Sequence, residues 1–339
     1  MRPKVSVCCA WHERPEAVRI TLDALLSQNF EDYEVIVVND GSTSPEVAME
    51  LDRYRSERVT VVHQTNTGAP GALNHAISLA RGPYIAVHDA GDASRPDRLQ
   101  EQSRALDAEP SLVGVGCFTE DLMVQDNGGT TREKLNDDKP ERLNHRDFLA
   151  PRNFLSGGEV MFRKEIHQKV GGYRSAFRYA QDRDLWLRMS MLGDFGIVQT
   201  MLYERRIYAQ GVKASLRKSI MQKQLSHFAR ECAQMRMQKG YDLVDIFSDQ
   251  APMYRARTKT AADNLARYAL WYLYHDDHES ANILADLAIR ERVTLRSVGI
   301  NAIAKTTTVS NGRHEAIKSL LRRKISKFDM QKPETLIRR

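Results

Sequence analysis

The N-terminal part of the chain alternates short apolar runs with amphipathic segments, and this alternation leaves few folds open to it. The apolar runs are Val5–Cys9, Tyr33–Val38, Val59–His63 and Ile85–Val87. Between them, apolar residues recur at the spacing of one helix face. Strands that alternate with helices at short intervals build a mostly parallel sheet flanked by helices. We therefore predict an α/β fold with a Rossmann-like sheet.

The apolar run that begins at Ile85 ends abruptly in an acidic turn. Asp89 and Asp92 flank Gly91, and Pro96 then opens the next helix. In open α/β sheets, ligands bind just outside the carboxyl ends of the strands. Two carboxylates on such a turn make a place where a divalent cation can meet a phosphate. The turn is therefore our first candidate for the centre of a functional site.

The next part of the chain mixes elements with one long irregular segment. Leu112–Phe118 and Gly157–Phe162 have the pattern of strands, and Lys164–Val170 that of a short helix. Residues 121–145 are rich in Asp, Asn, Gly, Lys and Glu and show little periodicity. We predict a mobile loop there, with a lid as its functional interpretation.

A further helix is expected to begin at Gln181. Asp182 and Asp184 fall in its first turn, where the helix dipole favours acids. Arg188 lies one turn beyond Asp184, so the two side chains are expected to pair. On this evidence alone, Asp182 is either a structural acid at a helix start or a functional carboxylate.

The composition changes near Val212, after which the pattern is helical with almost no strand signal. A helical hairpin is expected around His275–His278. Residues 291–339 carry twelve Lys and Arg against four Asp and Glu, a balance of +8, so with a net charge of +6 the rest of the chain sums to about −2. The run Arg322–Lys324 is either a solvated face or a contact for anionic lipid headgroups. The tail lacks interleaved aromatic residues, so we expect no nucleic-acid binding.

Several other features favour a cytoplasmic protein. The first strand begins too early to leave room for a signal peptide. No stretch approaches the roughly 20 apolar residues that span a bilayer. The four cysteines show no metal-ligand spacing, and we expect reduced thiols at Cys8, Cys9, Cys117 and Cys232.

Six groups of residues fall in one order along residues 3–210. They are Val5-Ser6-Val7; Val37-Val38-Asn39-Asp40-Gly41-Ser42; Asn66-Thr67-Gly68 with Asn74; Asp89-Ala90-Gly91-Asp92 with Pro96 and Arg98-Leu99; Gly171-Gly172-Tyr173; and Gln181-Asp182-Arg183-Asp184-Leu185-Trp186. Each group alone is weak, but their shared order and spacing are specific. In this order the chain resembles the family 2 inverting glycosyltransferases of the GT-A fold.

The resemblance implies a glycosyltransferase domain at residues 1–211 and a helical region with a basic tail at 212–339. Residues 1–100 would hold a nucleoside diphosphate sugar, with UDP expected as the nucleotide, and residues 101–211 the acceptor. By position, Ala10 and Trp11 would lie against the base and Asp40 would hydrogen-bond the base or ribose. Asn74 also falls at a donor-binding position.

The resemblance assigns chemical roles to three carboxylates. Asp89 and Asp92 would meet the diphosphate through Mg²⁺ or Mn²⁺, and Asp182 would be the general base. A bound cation stabilises the charge that develops on a leaving diphosphate. An acceptor hydroxyl is a poor nucleophile, so a carboxylate must take its proton during attack. A single displacement with one base inverts the anomeric centre, whereas a double displacement needs a second carboxylate close by.

The chain departs from the family pattern at three positions. Gly91 stands where the family's acidic turn has its third residue, often the metal ligand itself. Gln181 replaces the glutamate before the base, and Tyr208 stands where the family often has a histidine. Direct coordination by Asp89 or Asp92 is therefore left open, with coordination through water as the alternative. The processive signature Gln-x-x-Arg-Trp is absent, so we expect one sugar per event.

The leading hypothesis is a non-processive hexosyltransferase of surface polysaccharide synthesis, acting on a saccharide or a lipid-linked acceptor. Asp40, Asp89 and Asp92 also suit turns, which is their structural interpretation. One alternative is a degenerate sugar-nucleotide-binding protein that has lost the metal. Another is a nucleotidyltransferase, which would need a glycine-rich, basic phosphate loop where this chain has Ala10–Glu13. The basic tail adds the hypothesis of peripheral membrane contact.

Overall fold

The computed structural model describes residues 2–125, 129–208 and 215–307. Its N-terminal part is built from four strands that are parallel to one another, β1 (Val5–Trp11), β2 (Tyr33–Asp40), β3 (Val59–Gln64) and β4 (Tyr84–Asp89). Three helices connect them, α1 (Val18–Leu26), α2 (Pro45–Asp52) and α3 (Gly68–Leu79). The strands are largely buried because apolar residues fill both faces, as expected for a parallel sheet covered by helices.

The same sheet continues through the next part of the chain. The elements there are β5 (Ala93–Ser94), α4 (Arg98–Ala108), β6 (Gly114–Val124), β7 (Thr130–Asn136), β8 (Arg142–Leu143), α5 (His145–Leu149), β9 (Met161–Arg163), α6 (Lys164–Lys169), α7 (Gln181–Met189) and β10 (Phe195–Tyr208). The strand order is β3-β2-β1-β4-β9-β6-β10-β5, with β7 on β6 and β8 on β10. Strand β9 is antiparallel to both neighbours and β6 pairs in parallel with β10. The predicted mostly parallel α/β sheet is confirmed.

The register of the central strands brings their polar ends to one edge of the sheet. Ala10 pairs with Val38 on one side and with Asp89 on the other. Trp11 pairs with Asn39, the residue before Asp40. Strand ends that are separated in sequence are thus direct neighbours, as the switch-point rule for such sheets requires.

The mobile loop predicted for residues 121–145 is wrong over most of its length. Strand β6 runs on to Val124 and pairs antiparallel with β7. Lys139 buries its ammonium against the Cys117 carbonyl, 2.7 Å away, and pairs with the buried Glu159 carboxylate. The polar composition concealed these strands because β7 is largely exposed and because Glu120 and Asp121 of β6 are buried in ion pairs with Arg132 and Arg205 rather than in apolar packing. A strand predicted at Gly157 begins only at Met161, and Gly157 lies in a turn.

A network of buried charges fixes helix α7. The Asp184 carboxylate pairs with Arg188, as its spacing predicts, and also with Arg174. Arg174 in turn donates two hydrogen bonds of 2.9 and 2.8 Å to the Asp242 carboxylate. Asp242 caps α9 (Leu243–Phe247) and accepts from the Val244 amide. Helix α7 is therefore held from both sides by paired charges.

Residues beyond 215 form only helices among their described regular elements. These are α8 (Ser215–Lys239), α9, α10 (Lys259–Tyr274), α11 (His278–Glu291) and α12 (Leu295–Thr307). Among the described residues, the chain separates into one compact unit of residues up to 208 with Phe228–Pro252, and a second of Ser215–His227 with residues 253–307. The predicted hairpin around His275–His278 is confirmed as α10 and α11, which share an apolar core with α12. The predicted domain boundary at residue 211 stays a prediction.

No helix in the described ranges is long and apolar enough to cross a bilayer. The Arg322–Lys324 run and most of the basic tail lie outside the described residues. Their predicted contact with lipid headgroups therefore stays a prediction.

Replacing Lys139 with methionine should destabilise the first unit, because Glu159 would keep a buried carboxylate without its cation. Both side chains are almost fully buried, at 4% and 3% exposure. Removal of one partner of such a pair costs about 3 kcal/mol or more. We expect this loss in the free energy of unfolding, measured by urea denaturation followed by tryptophan fluorescence.

The double variant K139M/E159Q is the control, since it removes both charges together. It should recover part of the lost stability because no uncompensated charge remains. If K139M unfolds at the same urea concentration as the parent, Lys139 does not hold this segment in the fold.

Candidate active site

The acidic turn after β4 is fixed by helix α1 and by its own backbone. The Thr21 hydroxyl donates to the Asp92 carbonyl over 2.8 Å and accepts from the Gly91 amide over 3.0 Å. Gly91 has a φ of 94°, a left-handed conformation that glycine adopts without strain. These bonds hold the backbone of the turn in place, and the side chains of Asp89 and Asp92 lie in different surroundings.

The Asp92 side chain is buried and bonded within the protein. Its Oδ2 accepts from the Tyr203 hydroxyl over 2.8 Å, and its Oδ1 accepts from the Arg206 amide over 2.8 Å. Burial, and then the nearby Asp89 charge, raise the pKa of Asp92 to about 8 against these opposing hydrogen bonds. Asp92 thus ties the turn to β10 and presents no unused oxygen to a ligand.

The Asp89 side chain is the exposed carboxylate of the turn. Desolvation nevertheless raises its pKa, and the Gly158 amide, which hydrogen-bonds the carboxylate, opposes that effect. A carboxylate that solvent reaches and that is still poorly solvated lies in a concave part of the surface. Asp89 is therefore placed as a ligand-binding group would be.

Asp182 is the second residue of α7 and accepts a hydrogen bond of 2.9 Å from the Arg183 amide. Burial raises the pKa of Asp182 to about 6; the Arg183 amide opposes this rise, and the Asp89 charge adds to it. A carboxyl with a pKa near neutrality exchanges protons readily with a hydroxyl group during a reaction. The helix start thus carries the carboxylate whose electrostatics best suit proton transfer.

Gly157 marks the space that Asp89 and Asp182 share. A Cβ atom on Gly157 would lie 3.8 Å from Oδ1 of Asp89 and 3.8 Å from Cβ of Asp182. At Gly158, a Cβ would meet the Tyr203 hydroxyl at 2.1 Å, so no side chain larger than that of glycine fits against Tyr203 here. The two glycines therefore leave room between a carboxylate of β4 and one of α7.

The Tyr203 hydroxyl forms hydrogen bonds to both ends of the acidic turn. This role was not predicted from the sequence. The hydroxyl accepts from the Asp89 amide over 3.1 Å while it donates to Asp92. The Arg98 guanidinium lies 4.9 Å from the Tyr203 ring centre and donates to the Val87 carbonyl over 2.9 Å. From the sequence, only the close approach at Gly157 and Gly158 could have been predicted, because paired glycines often mark a place where another group comes close to the backbone.

Asp40, Ala10 and Trp11 lie at the expected edge of the sheet, but two of them are occupied within the protein. Oδ1 of Asp40 accepts from the Thr67 amide and from Gln64, both over 2.8 Å, and so fixes the loop before α3. Trp11 is fully buried and its indole donates to the Glu13 carbonyl over 2.6 Å. Ala10 is partly exposed beside Asp89.

Asn74 connects the two halves of the first unit. Its amide donates to the Tyr173 carbonyl over 2.8 Å and accepts from the Tyr173 amide over 2.9 Å. The side chain is therefore used for positioning, and it orients the segment that leads to Asp182. Within the described part of the chain, the buried Tyr173 hydroxyl has no hydrogen-bond partner, and the charges of Asp182 and Asp89 both act on it.

The residues of the turn fit a divalent cation only in a limited way. Within the described ranges, no group of three or more His, Cys, Asp or Glu side chains could hold a metal ion. Mg²⁺ is often bound by one or two carboxylates together with substrate phosphates. Asp89 meets that requirement, whereas Asp92 would have to give up its bonds to Tyr203 or Arg206.

Residues 6–171 match the family model for glycosyl transferase family 2. The chain belongs to this family. It is 30% identical over 212 residues to the putative glycosyltransferase EpsE of Bacillus subtilis, and the aligned part covers 60% of this chain and 73% of EpsE. It is also 30% identical over 188 residues to the O-antigen biosynthesis glycosyltransferase WbnJ of Escherichia coli, covering 55% of this chain and 71% of WbnJ.

Two solved structures share the fold at low sequence identity. TarS 1-349 of S. aureus in complex with UDP has a TM-score of 0.53 and 13% identity, with 90% of this chain and 91% of that chain covered. The mannosyltransferase PcManGT of Pyrobaculum calidifontis, in complex with GDP-Man and Mn²⁺, has a TM-score of 0.51 and 16% identity, with 94% and 84% covered. These likenesses, together with the family, confirm the predicted GT-A fold.

Replacing Gly157 with alanine should impair transfer without harming the fold. The added methyl would make ordinary contacts at 3.8 Å and would stand between Asp89 and Asp182. Misplacement of reacting groups by a fraction of an ångström to one ångström costs about tenfold or more in rate. We expect that loss in the transfer rate, with an unchanged melting temperature.

Gly299→Ala is the matched control, because no atom of a described residue lies within 4 Å of a Cβ at this position in the helical region. Its transfer rate should equal that of the parent. Full activity of G157A would show that the reacting atoms do not occupy this space.

Proposed function

We propose that the protein transfers a sugar from a nucleoside diphosphate sugar, with UDP as the nucleotide, to a saccharide or lipid-linked acceptor with inversion. One observation carries this proposal: Asp89 and Asp182 reach the same space beside Gly157 from different elements. One carboxylate follows the strand of the donor half and the other opens the helix of the acceptor half. Donor and acceptor would meet where these two groups converge.

Asp182 is the group that we assign as general base. It would accept the proton of the acceptor hydroxyl as the oxygen attacks the anomeric carbon. The bond from that carbon to the diphosphate oxygen breaks, and its electron pair leaves with the nucleoside diphosphate. A single displacement of this kind inverts the anomeric centre. The charges that hold α7 keep the carboxylate in place during this transfer.

Asp89 is the residue that would hold Mg²⁺ or Mn²⁺ together with the donor diphosphate. When bound, the ion would supply Lewis-acid stabilisation of the leaving group. The Mn²⁺ in the PcManGT complex supports the use of a divalent ion. Asp92 would act by holding the turn against β10, through its bonds to Tyr203 and Arg206.

The choice of UDP and of the pathway depends on relatives. TarS structures contain UDP or UDP-GlcNAc, which supports a uridine donor, whereas PcManGT contains GDP-Man. WbnJ is named for O-antigen synthesis, which supports a role in surface polysaccharide formation. Ala10, Trp11, Asp40 and Asn74 remain our candidates for shaping the donor site, with Trp11 and Asn74 acting through backbone contacts. Non-processive action and a cytoplasmic location stay predictions.

Titration with UDP and GDP, each with and without Mn²⁺, tests the donor site by calorimetry, and hydrolysis of the matching nucleotide sugars tests catalysis. Metal-stimulated binding with donor turnover supports the transferase. The bonded state of Asp92 favours a second candidate, a binding protein of the same fold that lacks catalysis. Metal-independent binding without any turnover would support that candidate instead.

Replacing Asp182 with asparagine should abolish transfer and leave donor binding nearly unchanged. Asparagine keeps the shape and can still accept from the Arg183 amide, but it cannot take a proton. Loss of a positioned base lowers rates by about 10²–10⁴-fold. We expect this loss in a transfer assay and an unchanged UDP dissociation constant; a weakened UDP affinity with normal turnover would contradict the assignment.

The pH dependence of transfer should follow the ionisation of Asp182. A base acts when ionised, so activity should be lost as pH falls through the pKa of about 6 to which burial raises this group. We expect kcat/KM for the acceptor to rise between about pH 5 and pH 8 with one apparent pKa near 6. UDP binding measured over the same range serves as the control, and a flat kcat/KM profile would exclude Asp182 as the titrating base.

A further inference from the structure

Two of the three departures from the family pattern are in contact with each other. The Tyr208 hydroxyl donates to the Gly91 carbonyl over 3.5 Å. A Cβ atom on Gly91 would lie 3.4 Å from the Tyr208 ring, and the φ of 94° would strain any L side chain there. A third acidic residue therefore does not suit this turn, and Tyr208 covers the place where its side chain would begin.

An arginine from the first strand–helix loop lies against the same tyrosine. The Arg14 guanidinium carbon is 5.0 Å from the centre of the Tyr208 ring, and the Arg14 side chain is exposed. Guanidinium groups stack on aromatic faces and keep their hydrogen-bond donors available for an anion. Among the described residues, no carboxylate forms an ion pair with Arg14.

The backbone that presents Arg14 is strained and firmly held. Glu13 and Arg14 have φ values of 58° and 62°, which are left-handed conformations uncommon for such residues. The Glu13 carboxylate accepts from the Thr43 amide over 2.7 Å and from the Thr43 hydroxyl over 2.8 Å. Strain of this kind persists where surrounding bonds enforce it, and it is concentrated at ligand-binding sites.

A second arginine reaches the same region from β10. Arg206 and Tyr208 are two residues apart on one strand, so their side chains share a face of the sheet. Nε of Arg206 is buried and has no hydrogen-bond partner among the described residues, and the carboxylate nearest to its guanidinium in that set is Glu204, at a long 3.7 Å. Its main-chain amide donates to Asp92, which places it directly beside the acidic turn.

The charges of Arg14 and Arg206 both act on Tyr208, although the two arginines come from distant parts of the chain. Burial raises the pKa of Tyr208, and the charges of Arg14 and then Arg206 oppose that rise. The acidic groups that act there are Asp92 and Glu16. Asp92 already accepts two hydrogen bonds from the protein. Both guanidinium charges thus act on Tyr208, which covers Gly91, the position of the family's third acidic residue.

We propose that Arg14 and Arg206 bind the diphosphate of the donor and supply positive charge where the turn lacks its third acidic ligand. This inference rests on the proposed function. As the bond from the anomeric carbon to the diphosphate oxygen breaks, the electron pair stays on that oxygen. Guanidinium groups stabilise the added charge through hydrogen bonds to the phosphate oxygens. Donor binding therefore depends on these arginines even without a divalent ion.

The test compares UDP with uridine, which lacks both phosphates, in a buffer that contains EDTA. The variants are R14Q and R206Q, with R19Q as the matched control, because Arg19 is an exposed arginine paired with Asp23 on α1. Dissociation constants come from calorimetry for UDP and from ligand-observed NMR for uridine. Circular dichroism and melting temperatures show that each variant is folded.

We expect R14Q and R206Q each to weaken UDP binding roughly tenfold to a hundredfold, as loss of hydrogen bonds to a charged group predicts. Uridine affinity should stay unchanged, and R19Q should match the parent. R14K should recover part of the UDP affinity, because lysine restores the charge without the planar fork.

Two results would overturn the inference and leave the proposed function standing. One is that the parent binds UDP and turns over a donor, while R14Q and R206Q both keep the UDP affinity of the parent. The other is an equal loss for uridine and UDP, which would mean that the arginines shape the base pocket. If the parent binds neither UDP nor GDP under any condition, the proposed function itself fails and this inference fails with it.

Discussion

The bond between the Tyr203 hydroxyl and the buried Asp92 carboxylate is the constraint on which the rest of the site depends. Tyr203 lies on β10, and Asp92 ends the turn after β4, so this bond joins that turn to a strand that is not a neighbour of β4 in the sheet. The same hydroxyl accepts the Asp89 amide, which fixes the exposed carboxylate through its own backbone. A buried polar group is stable only when bonded, so the turn cannot readily leave β10.

Charge pairing extends this constraint from the turn to the second carboxylate. Asp184, Arg174, Arg188 and Asp242 hold α7 in a buried network, and Asp182 stands at the start of that helix. Buried pairs of this kind add little net stability, but removal of one member is costly. The network therefore makes the position of Asp182 depend on the whole first unit. The separation of Asp89 from Asp182 at Gly157 is fixed in the same way.

Particular residues show how far sequence reasoning reaches. The strand ends at Ala10, Asp40 and Asp89 lie together as expected, because a parallel sheet brings the carboxyl ends of its strands to one edge. The end of β6 and all of β7 fall where the sequence predicts a loop, since their polar side chains hide the alternation that marks a strand. Trp11 and Asn74 match family positions, but their polar groups bond to the backbone. The sequence cannot show these hydrogen bonds, because the bonded residues come together only in the folded chain.

The sequence by itself determined the α/β class, the helical C-terminal region and the family, because hydrophobic periodicity and motif order are local properties of the chain. It also located the two carboxylates that we assign to chemistry, Asp89 and Asp182. Only the tertiary structure decided that the Asp92 carboxylate holds the turn to β10 and that it does so by a hydrogen bond from Tyr203. It alone brought Arg14 and Tyr208 beside Gly91, since the pairing of distant strands and loops follows from packing and charge rather than from local pattern.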